Sequence, residues 1–106
     1  MKKEQRLKRR EDFRRVYQHG TVKFGRYIVM HLLPVSDSTT KVGISVSKKV
    51  GNAVVRNQVK RRLREIIRLN WEQLPEQHYV VFGAKVKSRY ASYQQLQTDF
   101  YQLLKV

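Results

Sequence analysis

The chain has 106 residues, enough for a single domain with one modest core. Lysine and arginine number 23 against eight acids, and the net charge of +15 favours a polyanionic partner, with nucleic acid ahead of an anionic membrane. A hydrophobic content of 41% indicates a folded domain and not a disordered polycation, and the lack of cysteine excludes disulfides, thiolate metal sites and cysteine nucleophiles.

The first third of the chain predicts a basic leading segment, one helix and two strands. Residues 1–10 are strongly charged, without a signal peptide, and we expect them to form a mobile N-terminal segment. A short helix is predicted over 11–19, with Gly20 as its stop. Strands are predicted over 21–24 and 27–33, where β-branched and apolar residues are frequent.

A third strand is predicted over 42–47, where apolar and small polar residues alternate. A period of two places alternate side chains on opposite faces of a sheet. The core face of this strand would carry Val42, Ile44 and Val46. The opposite face would carry Ser45 and Ser47.

The second half of the chain predicts two helices separated by a strand. Asn52 is a suitable N-cap for a helix that runs to about Asn70, and its apolar residues recur at helical spacing. A buried strand follows over 79–83. Ser92 and Gln95 form a plausible capping box for a last helix, whose core face would carry Leu96, Phe100, Leu103 and Leu104. The predicted fold is therefore α+β, a single domain over 1–106 in the order αβββαβα.

The long helix carries a stripe of cations beside its apolar face. The stripe comprises Arg56, Lys60, Arg64 and Arg68, with Asn57 and Arg61 slightly further round the helix. Like charges four residues apart repel, and Glu65 is the one acid in this segment that offsets them. A solvated face normally mixes the two signs, so this pattern favours contact with successive phosphates of RNA or DNA. The chain shows no helix-turn-helix pair, zinc finger or dimerising heptad that would favour DNA.

The segment 45–65 reads SVSKKVGNAVVRNQVKRRLRE. Its Ser-Lys-Lys turn, Gly-Asn-Ala and Arg-Asn-x-x-Lys-Arg-x-x-Arg resemble the signature of the bacterial ribonuclease P protein family. The resemblance extends to 11–20 in the first helix, to 42–47 in the third strand and to 78–84 in the fourth, so it covers essentially the whole chain.

This resemblance implies a function and a set of partners. The family removes the 5′ leader of precursor tRNA, and the RNA subunit of the ribonucleoprotein holds the catalytic Mg²⁺ and the reacting phosphate. The implied partners are ribonuclease P RNA and precursor tRNA, with no protein partner and no membrane. The sequence itself, without cysteine, a signal peptide or an apolar run of membrane-spanning length, favours a cytoplasmic location. The implied fold has a four-stranded sheet packed with helices and a left-handed βαβ crossover through the basic helix, which would be an exception to the usual handedness.

The resemblance also implies two binding surfaces and no catalytic or metal-binding residue in this chain. The surface for the catalytic RNA would comprise Gly51, Asn52, Arg56, Asn57, Lys60, Arg61 and Arg64. The leader would lie in a cleft between the first helix and the sheet, lined by Phe13, Tyr17, His31, Ser45, Ser47, Lys48, Lys49 and Lys85. Without the resemblance, Phe13 and Tyr17 could equally be an ordinary core pair, and His31, where the family often has an aromatic residue, could be structural.

Two other functions fit parts of the sequence. A ribosomal protein or general RNA chaperone would share the size, charge and fold, but the contiguous motif over 45–65 discriminates against it. A nuclease with its own active site would need acid and base groups that converge in a pocket. The three histidines lie in different predicted elements without carboxylate companions, which disfavours this alternative.

Overall fold

Three helices and four strands form the framework of the computed structural model, which describes residues 1–105. The helices are α1 (Arg10–His19), α2 (Ala53–Leu69) and α3 (Tyr93–Leu104), and the strands are β1 (Thr21–Phe24), β2 (Ile28–Pro34), β3 (Lys41–Ser45) and β4 (His78–Ala84). The predicted order αβββαβα is confirmed. Short 3₁₀ helices at Lys3–Gln5, Lys48–Val50, Trp71–Gln73 and Val86–Tyr90 were not predicted, because pieces of three to five residues have too little periodicity to show in a sequence.

The predicted caps and stop lie at one end of each helix. The Asn52 side chain accepts a hydrogen bond from the Val55 backbone N–H at 3.0 Å, which begins α2. Ser92 and Gln95 form the reciprocal capping box of α3, with distances of 3.1 and 2.9 Å. The N–H of Gly20 donates to Val16 at the end of α1.

The strands form one mixed sheet in the order β1-β2-β4-β3. The pairs β1–β2 and β2–β4 are antiparallel, whereas β3 and β4 are parallel. Parallel neighbours need a crossover connection, and α2 supplies it between β3 and β4. The left hand of this crossover stays a prediction from the resemblance.

Helices cover the two faces of the sheet unequally. The larger core lies between one face and helices α2 and α3, and its fully buried residues include Met30, Phe82, Leu63, Ile66 and Phe100. The smaller core lies under α1 on the other face and contains Leu7, Val16, Val35, Tyr79 and Val81. Because α1 is only ten residues long and packs against β2 and β4, part of this second face stays uncovered.

The predicted core positions of β3 and α3 are mostly confirmed. Val42, Val46, Leu96, Phe100 and Leu103 are buried. The exceptions are Ile44 and Leu104, which are only partly buried and pack at the margin of the larger core. Ile44 lies on β3, which is an edge strand, and Leu104 is the last residue of α3, so neither is enclosed on every side.

Residues 1–10 have defined contacts along the edge of β3. The Leu7 N–H donates to the Val42 carbonyl at 2.9 Å, Arg6 forms a parallel bridge with Val42, and the Leu7 side chain is buried in the smaller core. These contacts were not anticipated from the sequence. The mobility predicted for this segment stays a prediction, and its motion would have to break the contacts of Leu7.

Across the described residues, no helix has both the length and the apolar character needed to cross a membrane.

Candidate nucleic-acid interface

The outer side of α2 carries a row of cations without matching acids. Asn57, Arg61 and Arg64 are exposed, and Arg56 and Lys60 are partly exposed. In the part of the chain that the structure describes, the stripe has one ion pair, between Arg68 and Glu65, whose nearest atoms lie 2.6 Å apart. The hydrogen bonds from Arg68 lower the pKa of Glu65. The cations nearer the start of the helix therefore remain available to external phosphates.

Arg62 is the basic residue of α2 that has a structural role. Its guanidinium donates to the Ala91 carbonyl at 2.9 Å and ties α2 to the segment before α3. Arg62 lies outside the predicted stripe. The basic residues of α2 thus divide into one anchoring residue and a cationic face with a single ion pair among the described residues.

The Gly51-Asn52 turn is predicted to contact the catalytic RNA, and in the structure it forms the N-terminal cap of α2. The Asn52 side-chain oxygen is occupied by the capping bond, so its amide N–H₂ group is the part left for an external ligand. A Cβ at Gly51 would lie 2.9 Å from the Val55 side chain, so glycine permits the tight approach of the turn to the helix. Arg56 follows, and its Nε is buried without a hydrogen-bond partner among the described residues.

The part of the second sheet face that α1 leaves uncovered is where the predicted cleft would lie, and we call it the cleft. Directly paired residues of neighbouring strands share a face. The register pairs Val22 with His31, Phe24 with Val29, and Gly83 with both Val29 and Ser45. The chain therefore brings one exposed phenylalanine, one histidine, one serine and a bare glycine backbone onto the face that α1 leaves open.

Tyr17 and His31 meet at the boundary between α1 and this cleft. Their ring centroids are 4.9 Å apart in an edge-to-face arrangement, and 46% of the Tyr17 surface is exposed. Burial lowers the pKa of His31, which favours the neutral imidazole. The pair presents an exposed aromatic ring beside an imidazole that can form hydrogen bonds, and this combination suits contact with unpaired bases.

Phe13 differs from Tyr17, although the two rings lie one helical turn apart. Phe13 is partly buried and packs against the smaller core. A Cβ at Gly43 would lie 2.4 Å from the tip of its ring, so Phe13 rests directly on the β3 backbone. The core interpretation therefore describes much of Phe13, whereas Tyr17 presents its ring to the cleft.

The remaining predicted cleft residues lie at the end of the sheet where β3 and β4 finish. Ser45 ends β3, Ser47 follows it, and Lys48 and Lys49 lie exposed in the next 3₁₀ helix. Lys85 directly follows β4, and its ammonium group lies 6.0 Å from the centre of the Phe24 ring.

Phe24 is a cleft residue that was not singled out from the sequence. It is 72% exposed at the end of β1, and Val22, two residues earlier, is also exposed on the same face. The signal was the alternation Thr-Val-Lys-Phe in a predicted strand, which places two apolar residues on one side. An isolated alternation cannot show that the apolar side faces solvent, because apolar strand faces usually pack inward.

Two acidic residues near these surfaces have structural partners. Asp99 is buried, and its carboxylate accepts three backbone N–H bonds, from Arg26 at 2.7 Å and from Tyr27 and Ile28 at 2.8 Å. Asp12 lies 3.8 Å from Arg15. Among residues 1–105 no cluster of three or more His, Cys, Asp or Glu side chains could hold a metal ion.

A small α+β domain with a cationic helix and a half-open sheet face bearing exposed rings belongs to the class of RNA-binding proteins. A family model described as Ribonuclease P matches residues 1–106. The chain belongs to the ribonuclease P protein family, and it is an RNA-binding subunit of the tRNA-processing enzyme ribonuclease P.

Individual relatives agree with this assignment. The chain is 40% identical to the ribonuclease P protein component of Clostridium novyi, with 99% of this chain and 95% of the relative covered. It is 41% identical to that of Streptococcus pyogenes serotype M5, with 100% and 88% covered. These matches disfavour the alternative of a ribosomal protein or general chaperone.

Solved structures show the same fold. The RNase P protein of Staphylococcus aureus superposes with a TM-score of 0.87 at 30% identity, covering 94% of this chain and 92% of the other. The RNase P protein of Thermotoga maritima superposes with a TM-score of 0.85 at 28% identity, covering 94% of both chains. The predicted α+β fold is confirmed.

Proposed function

We propose that this chain is the non-catalytic half of a ribonucleoprotein that removes the 5′ leader of precursor tRNA. The exposed face of α2 binds the catalytic RNA, and the cleft beside α1 binds the leader. The RNA subunit holds the Mg²⁺ ions, which supply an activated water and stabilise charge on the reacting phosphate. We place this work in the cytoplasm, in keeping with a tRNA-processing role.

One observation supports the proposal: the chain has two exposed surfaces of different chemistry. The α2 face offers cations and an amide but no aromatic residue, and such a surface suits the phosphates of a folded RNA. The cleft offers the exposed rings of Tyr17 and Phe24 beside Lys85, and such a surface suits unpaired bases. A ribonucleoprotein that must hold its own RNA and a single-stranded substrate end needs both.

The partners of the carboxylates support the proposal that the RNA subunit, and not this chain, performs the cleavage reaction. Asp99 is occupied by three backbone N–H groups, Glu65 by Arg68 and Asp12 by Arg15. These carboxylates organise the protein and do not converge on a pocket. The positive surfaces instead suit the task of holding two polyanions together, which raises the affinity of the complex for substrate and metal.

Reconstitution tests this function. Protein alone, protein with a bacterial ribonuclease P RNA, and that RNA alone are each offered a precursor tRNA at low Mg²⁺ concentration. We expect cleavage at the mature 5′ end only when protein and RNA are combined, because RNA alone lacks the cations that offset repulsion. Metal-dependent cleavage at that site by rigorously RNA-free protein would contradict the proposal, as would failure of the protein to stimulate the RNA.

A further inference from the structure

The strand ends of the sheet differ sharply in charge. One end of the sheet contains the last residues of β1, β3 and β4 and the first residue of β2, because Ile28 pairs with Ala84 and Ser45 with Gly83. The loops at this end carry six cations, which we call the basic rim: Arg26, Lys48, Lys49, Lys85, Lys87 and Arg89. The loops at the other end, residues 35–40 and 70–77, carry the acids Asp37, Glu72 and Glu76 and no lysine or arginine. The sheet therefore has a positive end, and part of it lies beyond the predicted cleft.

Four of the six cations of the basic rim lie near aromatic rings. Lys85 lies 6.0 Å from the Phe24 ring centre, Arg26 and Lys87 lie 5.3 and 5.8 Å from that of Tyr27, and Arg89 lies 5.1 Å from that of Tyr90. Of the ion pairs within residues 1–105, none includes a rim cation. Rings orient cations without neutralising their charge. These four cations are thus oriented by the rings and remain able to bind phosphates.

Two of these rings are open to solvent. Phe24 is 72% exposed and Tyr90 is 78% exposed, whereas Tyr27 between them is buried. Tyr90 is the last residue of the 3₁₀ helix Val86–Tyr90, and Phe24 is the last residue of β1. The rim therefore offers two exposed rings on which unpaired bases can stack.

The rim is anchored to the fold. The Asp99 carboxylate holds the loop that contains Arg26 and Tyr27 through three short backbone hydrogen bonds. The Lys85 N–H donates to the Tyr27 carbonyl at 2.9 Å, and Ser88 is fully buried. The 3₁₀ helix of Val86–Tyr90 also packs against Lys48–Val50 and α2. A surface ordered before binding loses less conformational entropy when RNA arrives.

We infer that the basic rim is a second contact for single-stranded RNA, which binds leader nucleotides upstream of those in the cleft. This inference rests on the proposed leader-binding function and extends it by a site comprising Arg26, Lys87, Arg89 and Tyr90. Catalytic RNA is the other source of phosphates nearby. The exposed rings favour the leader, because α2, the surface assigned to the catalytic RNA, contains no aromatic residue.

Leader length provides the test. The holoenzyme is reconstituted with the full chain and a ribonuclease P RNA. Its Kd is measured for mature tRNA and for precursors with leaders of about four and about twelve nucleotides, both within the range of typical single-strand sites. We expect Tyr90→Ala to weaken binding of the long-leader precursor by about 5- to 150-fold, the value of one base–aromatic stack. Binding of the other two RNAs should not change.

Matched variants separate the rim from general surface effects. Tyr101→Ala removes another exposed tyrosine, on α3 and away from the rim, and should leave all three affinities unchanged. Arg89→Gln should lower the log–log salt slope for the long-leader precursor by about 0.7, the value for one phosphate contact to a single strand. Because both rim residues are exposed, thermal unfolding should match the parent protein.

The outcomes distinguish this inference from the proposed function. Equal losses for all three RNAs, or weaker assembly with the catalytic RNA without any effect of leader length, would overturn the rim assignment. Tyr17→Ala is measured in parallel as the cleft variant. If Tyr17→Ala discriminates precursor from mature tRNA and Tyr90→Ala does not discriminate by leader length, the rim inference fails and the leader cleft stands. If neither discriminates, leader binding by this chain is itself wrong.

Discussion

Truncation of Tyr17 separates a leader-binding role from a core role. Tyr17→Ala removes a ring that is 46% exposed and that contacts His31 edge-to-face at 4.9 Å. Complete burial of an aromatic ring would make truncation cost about 3–5 kcal/mol. About half of that surface is already in water, so we expect a loss of about 1.5–2.5 kcal/mol in the free energy of unfolding, including the aromatic pair. The protein should remain folded at 25 °C.

The effect on RNA binding should depend on the leader. Loss of one base stack should weaken holoenzyme binding of precursor tRNA by about 1–3 kcal/mol, whereas mature tRNA has no leader to place in the cleft and should bind as before. Assembly with the catalytic RNA should survive, because that contact is assigned to α2. The assay is equilibrium binding of both tRNAs to the holoenzyme, with urea unfolding of the free protein alongside.

Tyr17→Phe is the matched control, because it keeps the ring and removes the hydroxyl. It should retain most of the precursor affinity. The cleft assignment is refuted if precursor and mature tRNA lose affinity equally while the protein stays folded. If Tyr17→Ala unfolds the protein, the ring is more important to the fold than its exposure indicates, and the core interpretation holds for this residue as it largely does for Phe13.

Three further predictions concern other parts of the molecule. Arg64→Ala should weaken binding to the catalytic RNA and lower the slope of log affinity against log salt concentration by about 0.7–0.9. Arg68→Ala should lower this slope less, because Glu65 already partly neutralises Arg68. Equal effects of the two variants in a salt titration would contradict this prediction. Asp99→Ala should leave two buried backbone donors unsatisfied, at Tyr27 and Ile28, and should cost roughly 2–6 kcal/mol in urea unfolding. Burial lowers the pKa of His31 in the folded state, so the unfolded chain takes up the proton first as the pH falls. The contribution of His31 to the free energy of unfolding should therefore be complete above about pH 6.5 and should decrease below that value. The pH dependence of the urea midpoint should weaken in His31→Phe.

Much of the local structure was predictable because its causes are local. The Asn52 cap of α2, the Ser92–Gln95 capping box and the end of α1 at Gly20 depend on hydrogen bonds between residues three or four positions apart. The cationic stripe of α2 was equally visible, because helical periodicity alone sets which side chains share a face. The family resemblance came from the same contiguous segment.

Tertiary structure decided how the cleft is divided between core and surface. Phe13 and Tyr17 have the same sequence signal, an aromatic pair at i and i+4. Phe13 rests on Gly43 and Tyr17 meets His31, because α1 crosses β2 and β4 at one particular position. That position depends on contacts between residues far apart in the chain, which no local pattern specifies. The burial of Leu7 against Val42 was hidden for the same reason.

The basic rim shows the same distinction at the level of the whole sheet. The strand boundaries predicted from the sequence already leave Arg26, Lys48 and the cations after β4 outside regular strands. Only the strand order β1-β2-β4-β3, with β3 parallel to β4, brings these three loops to one end of the sheet. Strand order depends on the burial of both sheet faces and on pairing between strands far apart in the chain. The basic rim therefore forms only when the chain is folded.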